Sequence, residues 1–289
     1  MQGFFRIRHH AARSLRRLER PIERPGTDGR AHMRVVASCS GKGGVGKTTV
    51  AVNLAALAAR SLRVVLWDLD PQGAATHCLA AVPAARGATK GVVRGRRTLV
   101  DEAVATRWEG LALVAADRSA RNLDRLLDDE HRLRTMLRPL REHYDLVVLD
   151  CPPGAGRLAE HVVEAADGLL VPLIPGPLSV RALDQLGDLV TRVEVAGSRN
   201  GRRRPTLLPF FSMVDRRKRL HRDTIEAVQL ARPETLSAQI PISAEIERMP
   251  VYRAPIVSHA PDGLPALAFA ELWREAQLRL AWAEPVDRV

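Results

Sequence analysis

The chain has 289 residues, 46% of them hydrophobic, with 44 lysines and arginines against 33 acidic residues, a net charge of +11. That apolar share suffices for a buried core and excludes a wholly disordered chain, and no apolar stretch approaches the ~20 residues that a membrane-spanning helix needs. Cys39, Cys78 and Cys151 show no Cys-x-x-Cys spacing, which excludes a disulfide framework or zinc site and suits a reducing cytoplasm; the positive excess suits either a polyanionic partner or a set of solvated arginine faces.

Residues 1–32 differ from the rest. They hold eight arginines, at 6, 8, 13, 16, 17, 20, 24 and 30, against Glu19, Glu23 and Asp28. Phe4, Ile7, Ala11, Leu15, Leu18 and Ile22 recur at three- and four-residue steps, a helical stripe broken by Pro21, Pro25 and Gly26. Two readings stay open: a basic amphipathic arm for DNA, lipid or a partner, or a flexible tail with translation beginning at Met33. The division expected is an arm at 1–32 and one folded domain at 33–289.

From Arg34 onward strands and helices alternate, the pattern of an α/β, doubly wound, mainly parallel sheet with helices on both faces. The expected strands are 34–38, 63–67, 111–115, 145–149, 168–173, 206–212 and 235–240. The expected helices are 48–60, 98–105, a long charged one at 119–141, then 178–196, a basic one at 216–231 and a C-terminal one at 264–283. Residues 82–97 read as a Gly/Arg-rich loop, and 197–205 as a loop carrying Arg202, Arg203 and Arg204.

Between the first strand and first helix stands Gly41-Lys42-Gly43-Gly44-Val45-Gly46-Lys47-Thr48-Thr49. Glycines there let backbone N–H groups converge on phosphate oxygens at the positive end of the following helix. Lys47 is then placed for the β- and γ-phosphates, and the Thr48 hydroxyl for Mg²⁺. Lys42 is superfluous for its own nucleotide but suited to cross a dimer interface and stabilise a partner's transferring phosphoryl group. Asp68 and Asp70 end the second strand in Asp-Leu-Asp-Pro-Gln-Gly, and Asp150 ends the strand before Cys-Pro-Pro-Gly. Strand ends in such a sheet open on one ligand edge. Asp150 therefore fits a Walker B role on Mg²⁺, and Asp70 a switch carboxylate that orients the attacking water; Thr48, Asp70 and Asp150 are the candidate metal residues.

With Lys42–Thr49 (KGGVGKTT), Asp68–Gly73 (DLDPQG) and Tyr144–Gly154 (YDLVVLDCPPG), the chain resembles the ParA/MinD-type deviant Walker A ATPases, in particular the short, Soj-like ParA branch, over about residues 33–283. The resemblance implies an ATP- and Mg²⁺-dependent homodimer, with Lys42 reaching the opposite nucleotide. It implies non-specific DNA binding, hydrolysis stimulated by a ParB-like partner or cargo adaptor, and a nucleoid-associated place in the bacterial cytoplasm. By the same resemblance Met213, Asp215 and Pro241 fall where the base is held. Missing cysteine patterns exclude iron–sulfur relatives, and the C-terminus lacks a MinD-like basic membrane helix. In that family basic residues often follow an Ile-Pro pair; here Ile240-Pro241 is followed by Glu245 and Glu247, leaving Arg248. Arg216, Arg217, Lys218, Arg219 and Arg222 are the alternative DNA contacts. Two further readings remain: a MinD-like membrane organiser using the arm, and a nucleotide-switched scaffold that does not hydrolyse.

Overall fold

The structure is a computed structural model that describes residues 33–81, 87–117, 123–127, 132–154, 156–197 and 204–281. The arm at 1–32, Arg202 and Arg203 lie outside the described residues.

One eight-stranded sheet organises the chain, in the order β3-β4-β2-β5-β1-β6-β7-β8. Its strands are β1 (Arg34–Ser38), β2 (Val64–Asp68), β3 (Ala103–Ala105), β4 (Leu111–Val114), β5 (Leu146–Asp150), β6 (Gly168–Leu173), β7 (Thr206–Val214) and β8 (Gln239–Pro241). Every pairing is parallel except β3 with β4. Parallel strands need cover on both faces, so they read as unbroken apolar runs. Here Val35, Ala37, Val65, Trp67, Val147 and Leu149 face one core, and Val36, Val64, Leu66, Leu146 and Val148 the other.

The second core is filled by α1 (Lys47–Ala58) and a C-terminal helix, Leu264–Arg279. Helix α1 is buried on every side from Val50 to Ala58, because the sheet covers one side and the C-terminal helix the other. The first core takes the helices Arg157–Ala165 and Pro177–Gly197, together with Ile225 and Val228 of the helix Arg219–Ala231.

Register then assembles the site. Ser38 pairs with Asp150, and Asp68 pairs with Asp150 across β2 and β5. The ends of β1, β2 and β5 therefore sit side by side.

Several expected elements differ. The long helix at 119–141 is not one element: the described pieces are Leu123–Leu126, Arg132–Leu137 and a 3-10 turn, Arg138–Glu142. Pro139 has no N–H to continue the α ladder. The helix expected over 98–105 is one turn, Leu99–Glu102, started by a Thr98–Asp101 capping box; Ala103–Ala105 then pairs antiparallel with β4. The stretch read as a loop holds a helix, Ala88–Val93, after Gly87 at φ +82°. The basic helix begins at Arg219 rather than 216, because Asp215–Lys218 closes as a turn (Lys218 N to Asp215 O, 3.1 Å).

Candidate nucleotide-binding site

The loop after β1 turns on Gly44 (φ +71°) and Gly46 (φ +95°), left-handed conformations that a side chain disfavours. Gly46 caps α1, and its carbonyl accepts from Val50 N at 3.0 Å. A Cβ at Gly46 would also lie 3.0 Å from Ser212 Oγ. From below, Ser38 Oγ donates to the Lys47 carbonyl at 2.9 Å, tying the last residue of β1 to the first of α1. The result is an array of backbone N–H groups at a helix N-terminus, the geometry that binds phosphate.

The two lysines part company. Lys47 is only 7% exposed and its Nζ donates to the Lys42 carbonyl at 3.0 Å; burial lowers its pKa, and the nearby Asp150 charge opposes that shift. Lys42 is exposed, and no protein partner for its ammonium occurs among the described residues.

Asp150 is fully buried, and among the described residues neither carboxylate oxygen has a hydrogen-bond partner. Burial pushes its pKa well above the usual carboxylate range, the Asp68 charge adds to this, and the Thr48 hydroxyl and Lys47 oppose it. The Thr48 hydroxyl acts on the carboxylate without closing a hydrogen bond of ordinary geometry. A buried carboxylate left unsatisfied is costly. Beside a threonine hydroxyl and a phosphate cradle, this orphaned pair of oxygens fits Mg²⁺, which takes one or two protein oxygens and leaves the rest to phosphate and water. No group of three or more His, Cys, Asp or Glu side chains able to hold a metal occurs among the described residues.

The two aspartates after β2 have different surroundings. Asp68 is buried and spends Oδ2 on Thr76 N and Oγ1, both at 2.8 Å; burial pushes its pKa up to about 6 against those bonds. Asp70 is partly exposed, held in a turn by Gln72 N to Oδ1 at 2.9 Å and Gly73 N to its carbonyl at 2.9 Å. Asp70 is thus the carboxylate on this turn with room for a ligand. Cys39 and Cys151 are buried beside the same strand ends, and burial pushes both thiols up, Cys39 to about 12, which keeps them neutral.

A small cleft of about 50 Å³ joins Gly46 and Thr49 to Met213 and Pro241, so two of the three positions expected to hold the base lie beside the P-loop. Met213 stands at φ +55° where the β7–β8 register shifts. Asp215 does not line this cleft: Arg217 takes its carboxylate with Nε and one terminal nitrogen, each at 3.0 Å, and holds its pKa down to about 2. Sequence reasoning missed Ser212, Ile242, Ser243, Ile246, Glu247 and Phe269 on the cleft wall; no local pattern announces them. A larger cavity of about 120 Å³ behind Cys39–Gly41 and Pro152–Gly154 contains neither Lys47 nor Thr48 and is not the nucleotide cleft.

Much of the basic surface is engaged internally. Arg217 pairs with Asp215, Arg219 with Asp223 at 3.3 Å, and Arg248 with Glu245 at 3.3 Å. Arg222 donates to the Arg216 carbonyl at 2.8 Å, and Arg216 reaches Gln239 at 3.5 Å. Lys218 is exposed, with no side-chain partner among the described residues. No described helix is long and apolar enough to cross a membrane.

Known proteins place this arrangement. The family model described as an AAA domain matches residues 33–200. The chromosome partitioning protein ParA of Caulobacter vibrioides is 33% identical over 252 residues, 84% of this chain and 93% of that protein. The chromosome-partitioning ATPase Soj of Thermus thermophilus is 35% identical over 256 residues, covering 87% and 98%. A solved structure of cobyrinic acid a,c-diamide synthase from Mycobacterium smegmatis, with bound ADP and magnesium, superposes with a TM-score of 0.70 at 27% identity, covering 87% of this chain and 96% of that one. The motifs, the register that gathers them and these matches agree: the chain belongs to the ParA/MinD-type family of P-loop ATPases.

Proposed function

We propose that this chain, as one ATPase domain at 33–289 behind a basic arm, is a positioning ATPase that dimerises on ATP and Mg²⁺. The dimer binds DNA without sequence preference and lets go after hydrolysis, which is slow alone and stimulated by a ParB-like partner or cargo adaptor. Its cargo is DNA or another large body moved over the bacterial nucleoid, in the cytoplasm.

The observation that carries this reading is the contrast between buried Lys47 and exposed, unpaired Lys42 at the two ends of one loop. Lys47 serves the β- and γ-phosphates of its own subunit, and Lys42 is free to reach a partner's nucleotide. The Gly41–Thr49 backbone would cradle the phosphates, Thr48 and Asp150 would hold the metal with Asp70 beside it, and Asp70 would orient the attacking water. Bound Mg²⁺ would neutralise charge on the phosphate oxygens. Met213 and Pro241 flank the base, with Asp215 holding the adjoining turn through Arg217. DNA phosphates meet Lys218 first, with Arg216, Arg217, Arg219, Arg222 and Arg248 around it; those side chains must exchange internal partners for phosphates.

Light scattering with a non-hydrolysable ATP analogue and Mg²⁺ tests the reading. Wild type should run as a dimer, and Lys42→Ala as a nucleotide-bound monomer. Analogue-loaded wild type that stays monomeric refutes it. DNA co-sedimentation should require ATP rather than ADP and should weaken with salt.

A further inference from the structure

The base cleft and the Asp70 turn are separate places, yet one stretch of chain touches the cleft and the short helix that follows the turn. Ile242, Ser243, Ile246 and Glu247 line the cleft. The chain then crosses α1, where Asn53 Nδ2 donates to Met249 Sδ at 3.3 Å and Asn53 Oδ1 accepts from Val257 N at 3.3 Å. Between those anchors lies Pro250, whose carbonyl accepts from His77 Nε2 at 2.9 Å. In return Arg253 Nε donates to the His77 carbonyl at 3.3 Å, and Arg107 donates to the Arg253 carbonyl at 2.6 Å. Arg253 is held at φ +49°, a left-handed conformation that a non-glycine residue keeps when its surroundings impose it. From His77 the path to the switch is backbone alone: His77 N donates to Gly73 O at 2.9 Å, and Gly73 N to Asp70 O at 2.9 Å.

We propose that residues 242–257 form a strap that transmits occupancy of the base cleft to the Asp70 turn, with His77 as the positioning residue where strap and switch join. The proposal rests on reading the Met213–Pro241 cleft as the base site. A ligand seated against Ile246 and Glu247 orders the one-turn helices Ala244–Glu247 and Met249–Tyr252, which fixes the Pro250 carbonyl. The bond from His77 then holds the short helix Ala74–Cys78, and with it the carboxylate that must aim a water. Phosphates alone would leave that helix as it was. The consequence is a hydrolytic turn that responds to a nucleoside rather than to any polyphosphate.

Hydrogen exchange with Mg²⁺–ADP against Mg²⁺–pyrophosphate isolates the base, since neither ligand supplies the γ-phosphate that joins two subunits. In wild type, ADP should slow exchange at 74–80 about threefold to tenfold more than pyrophosphate does, the change one solvent-facing hydrogen bond carries. His77→Ala should erase that difference, and His77→Gln, whose amide can donate to the same carbonyl, should restore it. In steady state, His77→Ala should lower kcat for ATP by a similar factor with KM unchanged. If ADP protects 242–247 but leaves 74–80 as pyrophosphate does, the strap is refuted while the base reading stands. If ADP protects neither segment, the base reading is refuted and the strap with it. Protection at 74–80 that survives His77→Ala removes His77 from the path.

Discussion

The phosphate end and the rim of this site are built on opposite terms. At the phosphate end a buried group is left unsatisfied: among the described residues Asp150 has no hydrogen-bond partner, while Lys47 turns back onto a loop carbonyl. At the rim, several exposed arginines are already satisfied, with Arg217 on Asp215, Arg219 on Asp223 and Arg248 on Glu245. An unsatisfied buried charge costs stability unless it takes up a proton or meets a ligand, so the phosphate end favours binding. A satisfied exposed pair is worth little and exchanges readily, so the rim can trade one anion for another.

The largest effect expected from that contrast is at Lys47. Lys47→Ala should cost about 2–5 kcal/mol of nucleotide affinity, a loss readable by calorimetric titration, with the folded circular-dichroism spectrum retained. Next, Gly46→Ala places a side chain at φ +95° and crowds Ser212, which should cost about 1–3 kcal/mol in urea denaturation. Asp150→Asn should act with the opposite sign. Removing the orphaned charge should stabilise the metal-free protein by about 1–3 kcal/mol, while Mg²⁺-dependent turnover disappears; an unchanged melting temperature would mean the carboxylate is satisfied in solution.

At the rim the effects are smaller. Lys218→Ala should reduce the slope of log K against log salt for DNA by about 1, and Arg219→Ala by less, because Asp223 already holds it. Equal slopes for the two variants would erase the distinction between free and paired cations. Smallest is a titration. The Asp215 carboxyl lies at about 2, so its charge-dependent contribution is present above the ordinary aspartate value and is lost as pH falls through about 2. Arg217→Ala should return it toward ~4, followed by carboxyl carbon NMR.

The phosphate end was legible because its information is local. Gly44 and Gly46 supply left-handed φ values within a few residues of Lys47 and Thr48, and an apolar strand before the loop with an alanine-rich helix after it can be read one residue at a time. β1 and β6 match their expected bounds, Arg34–Ser38 and Gly168–Leu173. Where propensity is the only guide the reading fails: Arg-rich 119–141 has a helical composition throughout, yet Pro139 ends the α ladder at the 3-10 turn Arg138–Glu142.

What the sequence by itself determined is the chemistry of the loop and the three motifs that carry it, since spacing of four to eight residues sets backbone geometry directly. Only the tertiary structure decided that Asp68, rather than Asp70, is the buried partner of Thr76, and that Met213 and Pro241 meet Gly46 while Asp215 turns to Arg217. It alone brought His77 against Pro250 across 173 residues of chain. Such contacts depend on strand order and register, which join distant segments through burial, and burial leaves no local trace in the order of residues.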